Sequence, residues 1–152
     1  MSSILRRTTY LVKDIERSVS FYQDGIGLNL LWRTESKLTG LMPIGSPGDL
    51  AKFAAFNGED PMIGMVAFIQ LMKSNMQNNN SFSDKLSIGN SILVLGVDDC
   101  DYIYSKIRKM GVRIYKAPFD NLVNGRDGNT IKMRSMFAWD PDNIFLEINQ
   151  RV

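Results

Sequence analysis

Apolar and polar positions along the chain fall into two stretches that repeat one design. Residues Arg7 to Val12 read RTTYLV, a β-branched and aromatic run, and Asp14 follows as an N-cap before Ile15, Val19, Tyr22 and Ile26 at helical spacing. The pattern predicts a strand entering a helix that stops near Gly25 to Gly27, where glycine supplies the backbone freedom of a turn. About 85 residues later the design returns. Ser91 to Val97 read SILVLGV, Asp98 and Asp99 offer caps, and Cys100, Ile103, Tyr104, Ile107 and Met110 form an apolar face before Gly111. Strand-like runs follow each helix: Leu28 to Arg33, Leu38 to Pro43 and Pro61 to Met72 in the first half; Val112 to Lys116, Thr130 to Ala138 and Ile144 to Gln150 in the second. Ser46 to Asn57 reads as irregular chain leading into a strand. The Asn-rich stretch from Lys73 to Asn90 reads as a polar linker, and Pro118 to Asn129 as a second long loop. Two such modules, about 4–72 and 91–150, predict an internally duplicated α+β domain spanning 1–152.

Composition narrows the chemistry. The chain has 152 residues, 44% of them hydrophobic, which is enough for a real core without a metal or disulfide to hold it. It contains no histidine, and this removes Ser-His-Asp and Cys-His catalysis, every histidine metal ligand and the usual near-neutral proton shuttle. Cys100 is the sole cysteine, so disulfide frameworks and Cys-rich zinc sites are excluded. With no signal-peptide pattern at Met1 to Thr9, the expected location is cytoplasmic. No apolar run approaches the roughly 20 residues of a membrane span, and a net charge of +2 argues against a nucleic-acid surface.

Three motifs in order then carry a resemblance. Val12-Lys13-Asp14-Ile15-Glu16-Arg17-Ser18-Val19-Ser20-Phe21-Tyr22 with Gly25-Ile26-Gly27-Leu28, the second opening Val97-Asp98-Asp99, and the ending Asp140-Pro141-Asp142-Asn143-Ile144-Phe145-Leu146-Glu147-Ile148 resemble the glyoxalase, bleomycin-resistance and extradiol dioxygenase group, the vicinal oxygen chelate superfamily. Asn143 stands where that family usually has glycine, and asparagine tolerates the left-handed conformation such a turn needs. The resemblance implies tandem βαβββ modules whose curled mixed sheets enclose a cavity, often with one divalent metal. The usual ligands are His or Gln on the first strand of each module and Glu or a similar residue on the last. Carried onto this chain, the first-strand positions are Arg7 and Ile92, neither a normal ligand, and the last-strand positions fall near Gln70 and on Glu147. The metal site implied is therefore degenerate, with Glu147 and Gln70 as its remaining candidates. No cofactor is the expectation, a divalent metal the alternative.

Strand alternation offers a reading of its own. Arg7, Thr9 and Leu11 share one face, as do Phe68, Gln70 and Met72; Ile92, Val94 and Gly96; and Phe145, Glu147 and Asn149. The opposite set, with Tyr10, Ile69, Leu93, Leu95, Leu146 and Ile148, is more uniformly apolar and is expected to meet the helices. The first set then lines the pocket, with Arg7, Thr9, Phe68, Gln70, Ile92 and Phe145 as substrate-binding candidates and Glu147 as the catalytic one. Glu147 is open to three uses: a pairing with Arg7, a metal ligand, or a general base. Arg7 either neutralises Glu147 or binds a substrate oxyanion. Arg134 reads as an edge-strand charge or an anion contact, and Cys100, on the apolar helix face, as an inert packed thiol.

Two functions stay in competition. One is an enzyme of lyase, isomerase or dioxygenase type; the other is a metal-free protein that sequesters a small molecule, as drug-resistance proteins do. A third reading is an interaction module whose pocket is filled by Phe68, Ile92 and Phe145. The partners expected are a small-molecule ligand and a second copy in a homodimer, with neither nucleic acid nor membrane.

Overall fold

In the computed structural model each module begins with a strand and a helix, and its first strand pairs in parallel with its last. The structure describes residues 7–41, 43–59, 64–72, 85–87, 89–124 and 129–152. The chain divides into two compact units, Met1–Asn79 and Asn80–Val152. In the first, β1 (Arg7–Leu11) is followed by α1 (Ile15–Ser20), a π-helical continuation Phe21–Ile26, β2 (Asn29–Lys37), β3 (Leu50–Asn57) and β4 (Met65–Leu71). In the second, β5 (Ile92–Gly96) leads to α2 (Cys100–Lys109), β6 (Ile114–Asn124), β7 (Thr130–Trp139) and β8 (Phe145–Arg151). The sheet orders are β1-β4-β3-β2 and β5-β8-β7-β6. The first and last strands run parallel in both units, and the other pairings are antiparallel. Each sheet with its helix makes the βαβββ module that the resemblance implies, an α+β arrangement.

The helices start on matching devices. Asp14 accepts from the backbone N–H of Glu16 and Arg17 at 3.0 and 3.3 Å, and Asp99 accepts from Tyr102 at 2.9 Å. A helix leaves its first N–H groups without intrahelical partners. One more is met in each unit by a glutamine at the end of the last strand: Gln70 Oε1 accepts from Ile15 N at 3.1 Å, and Gln150 Oε1 from Cys100 N at 3.0 Å. Both helices end on left-handed glycines, Gly27 at φ 92° and Gly111 at φ 72°. Gly27 stands thirteen positions after Asp14, whereas Gly111 stands twelve after Asp99. The π-helical turn takes up that extra residue without changing the helix's ends.

Two expected boundaries move. The strand expected at 38–43 is absent among the described residues: β2 instead runs unbroken from Asn29 to Lys37, and Leu38 closes the connection, its N–H donating to Asp49 O at 2.8 Å and its carbonyl accepting from Gly48 N at 2.9 Å. The loop expected from Pro118 is strand as far as Asn124. Pro118 has no N–H for a ladder, but β6 is an edge strand and its register shifts between Lys116 and Phe119, so the missing donor falls in the irregularity. The closing turn keeps its expected form. Asp140 accepts from Asp142 N and Ile144 N, both at 2.8 Å, and Asn143 takes φ 64°. Of the linker expected at 73–90, residues 73–84 and 88 lie outside the described residues, as do 61–63 and 125–128.

The helix-side core of the first unit is aromatic. Tyr22, Phe56 and Phe68 are fully buried, with the Tyr22 and Phe68 rings 4.6 Å apart and Tyr10 stacked on Phe68 at 6.2 Å. In the second unit Ile107, Met136, Leu146 and Ile148 are fully buried aliphatic counterparts.

Candidate functional site

The face of each sheet turned away from its helix is the place to look for chemistry, and register tells which residues lie there. In the second unit Gln150 reaches the start of α2 and Arg134 pairs with Asp101 of that helix, which puts Gln150, Ile148, Leu146 and Arg134 on the helix side. The alternate residues therefore form the other face: Phe145, Glu147 and Asn149 on β8, Trp139, Phe137 and Ser135 on β7, and Ile92, Val94 and Gly96 on β5. Its β5 side is open, with Ile92 and Val94 exposed by 48% and 59%. Space beside Gly96 is also clear, since nothing lies within 4 Å of where its Cβ would stand.

Glu147 is half-buried here and held by a polar chain. Its Oε1 accepts from Asn149 Nδ2 at 2.9 Å, Asn149 Oδ1 accepts from the Ser135 hydroxyl at 2.6 Å, and Ser135 Oγ lies 3.1 Å from Asn121 Oδ1. Because the amide uses its NH2 on the carboxylate, its oxygen is left to take the hydroxyl proton, and the chain orients Glu147 without neutralising it. Aromatic rings surround the carboxylate's strand. Phe145 lies 4.8 Å from Trp139, 5.8 Å from Tyr115 and 5.9 Å from Phe137, the last stacked at 15°. Phe119 joins at 5.8 Å from Phe137. Two cations lie on the outer rings, Lys116 over Phe119 at 3.6 Å and Arg113 over Trp139 at 4.3 Å. The indole Nε1 of Trp139, a residue 5% exposed, has no hydrogen-bond partner among the described residues.

In the first unit the same construction carries different residues. Parallel register sets Thr9 against Ala67, Tyr10 against Phe68 and Leu11 against Ile69. Phe68 and Gln70 therefore face the helix with Tyr10, which corrects the pocket position expected for both: Phe68 packs under Tyr22, and Gln70 spends its oxygen on Ile15 N. The away face holds Arg7, Thr9, Ala67 and Ile69, and Arg7 lies 6.0 Å from the centroid of the Trp32 ring. The reason the sequence misleads is that β4, MVAFIQL, is apolar on both faces, so alternation has no phase to read.

This register also relocates the implied metal position. Val12 N donates to Ile69 O, and Val97 N to Asn149 O, both at 2.9 Å, so Ile69 corresponds to Asn149, Gln70 to Gln150 and Ala67 to Glu147. The four family positions are thus Arg7, Ala67, Ile92 and Glu147. A permanently protonated guanidinium and two hydrocarbon side chains offer no donor atoms, which leaves one carboxylate where three or more protein ligands are the norm. The donor set does not fit a divalent metal. No group of three or more His, Cys, Asp or Glu side chains that could hold a metal occurs among the described residues.

Other candidates resolve into structural roles. Arg134 pairs with Asp101 and, at 2.9 Å, with Asp120, and its hydrogen bond to Asp101 holds that carboxyl below its usual value. Cys100 is fully buried, and burial, with the charge of Asp101 adding to it, pushes its thiol up to about 11. The aromatic set on β6 and β7 was not among the sequence candidates. Its signal was the i, i+2 pair Phe137 and Trp139 at the end of a strand whose alternate positions are Arg134, Met136 and Ala138.

Similarity to known proteins agrees with this architecture. The model of the Glyoxalase/Bleomycin resistance protein/Dioxygenase superfamily matches residues 4–148, and the chain belongs to that superfamily. A glyoxalase family protein from Bacillus cereus superposes with a TM-score of 0.73 at 16% identity, covering 100% of this chain and 96% of its own. The trypanothione-dependent glyoxalase I of Leishmania major gives 0.61 at 18% identity over 98% and 87% of the two chains. TioX from a Micromonospora species gives 0.54 at 16% identity over 99% and 100%. At these identities the likeness is one of fold. No curated protein matches the chain. No helix among the described residues is long and apolar enough to cross a membrane.

Proposed function

We propose that this superfamily member binds and sequesters a small organic molecule without a catalytic metal, using the away face of its second sheet. The observation that carries the reading is the donor set: of the positions Arg7, Ala67, Ile92 and Glu147, only Glu147 has an atom that ligates a cation. What remains is an aromatic surface with one oriented carboxylate and a few hydrogen-bonding groups, the ordinary chemistry of small-molecule sites. A cytoplasmic homodimer belongs to the same proposal, and light scattering on purified protein tests the dimer.

The test has two arms. Elemental analysis after exposure to zinc, nickel, iron(II) and manganese is expected to find no stoichiometric metal in the wild type. One equivalent of metal that disappears in Glu147→Ala overturns the proposal. A thermal-shift screen of aromatic and apolar compounds is expected to find ligands that raise the transition and are recovered unchanged.

A second reading rests on the Asn149 hydrogen bond that orients Glu147. A carboxylate so held is suited to accept a proton in lyase- or isomerase-type chemistry. It predicts that a ligand from the screen is converted by the wild type and returned intact by Glu147→Gln.

A further inference from the structure

The away face of the second sheet has a charge logic that goes past general small-molecule binding, and the inference drawn from it rests on the binding reading above. Glu147 faces Phe137 directly across the β7–β8 ladder and lies two residues from Phe145 on its own strand. Its hydrogen bond comes from a neutral amide, and no lysine or arginine of its own unit pairs with it among the described residues. A half-buried carboxylate among rings favours a cation that brings its own charge-assisted hydrogen bond. The rings favour the same partner, because the face of an aromatic ring attracts positive charge within about 6 Å. This cluster already shows that preference: Lys116 and Arg113 occupy the faces of Phe119 and Trp139. Among the described residues no such cation lies over Phe137 or Phe145. Beside Phe145, the buried Trp139 N–H has no hydrogen-bond partner among the described residues, and an unsatisfied buried donor favours a ligand that brings an acceptor.

We propose that the ligand is a flat aromatic amine, bound against Phe137 and Phe145, with its protonated nitrogen on Glu147 and an oxygen acceptor on Trp139 Nε1.

Three probes of one ring system test this in the full chain: (aminoethylamino)anthraquinone, its uncharged N-acetyl derivative, and anthraquinone sulfonate. All three carry carbonyl acceptors, and they differ in charge. The amine is expected to bind at least tenfold tighter than the N-acetyl compound, with the sulfonate weakest. Glu147→Gln should erase that difference by weakening the amine far more than the N-acetyl compound. Trp139→Phe, which keeps a ring and removes the N–H, should weaken amine and N-acetyl probes by the same factor. Equal affinity of the wild type for all three probes overturns the inference and leaves sequestration standing. Retention of the amine preference in Glu147→Gln overturns it as well, and unchanged affinities in Trp139→Phe remove the acceptor from the assignment. If none of the three binds, the inference falls alone when the thermal-shift screen yields another ligand, and both readings fall together when it yields none.

Discussion

The two units share an order of strands, an aspartate cap, a glutamine brace and a glycine stop, yet their away faces have opposite characters. In the first unit that face is filled by its own chain along β3 and β4, while Arg7, Thr9 and Leu11 on β1 stay exposed. Leu38, Ala51 and Ile69 form a buried cluster with Ile44, Phe53 and Leu71 packed on it, and Ala67 lies between Thr9 and Ala55. In the second unit the corresponding face carries Glu147, the Asn149–Ser135 chain and a set of aromatic rings. The difference teaches that one scaffold can hold a filled half and a chemically equipped half. Elements that fix helix to sheet are the same in both, whereas residues on the far side of the sheet are free to diverge.

Exchanging the character of the matched positions is the most direct way to break this comparison. Ala67→Glu forces a carboxylate into a position 3% exposed and is expected to lower unfolding stability by roughly 3–5 kcal/mol in urea denaturation. Glu147→Ala removes a half-buried group whose partner is a neutral amide and is expected to cost about 1 kcal/mol. Similar costs for the two would mean that the faces do not differ. A comparable contrast separates two phenylalanines. Phe68→Ala empties a fully buried ring site and should cost about 3–5 kcal/mol, with ligand affinity unchanged once the protein is folded. Phe137→Ala should cost about half as much stability and abolish binding of the aromatic probes. A loss of binding in Phe68→Ala instead would reverse the faces.

Smaller effects sharpen the likeness. Gln70→Ala and Gln150→Ala should each cost about 1 kcal/mol, and hydrogen exchange should quicken at the amides of Ile15 and Cys100 respectively. Neither change should alter ligand affinity, and an effect of Gln70→Ala on binding would return that residue to a ligand site. A further contrast concerns one asymmetry at the helix start, where Cys100 matches Ile15. Burial raises the Cys100 thiol from 9.0 to about 11. The folded state thus holds the proton that the unfolded chain releases first, so its contribution is complete below pH 9.0 and is lost as pH rises through about 11. Urea midpoints should decline across that window and flatten there in Cys100→Ala. Iodoacetamide should leave the folded thiol unmodified at neutral pH.

Much of this protein was legible without its structure. Asp14 and Asp99 before periodic apolar residues announced two helices, Gly27 and Gly111 ended them, and the DPDN turn tolerated Asn143 at positive φ. Glu147 could be placed because β8 alternates charged or polar residues with Leu146 and Ile148, so one face declares itself. Strand β4 offers no such contrast, and the sequence alone left its phase to a polar residue, Gln70, that turned out to serve the helix.

Local pattern therefore determined both helices, most of the strands and their order, because capping and periodicity act within a few residues. Tertiary structure alone decided which face of β4 meets the helix, that Ala67 is the counterpart of Glu147, and that Phe137, Trp139 and Phe145 come together. Those facts depend on strand register, set by backbone hydrogen bonds between segments distant in sequence, and a one-residue change in register would turn every side chain of the strand to the opposite face.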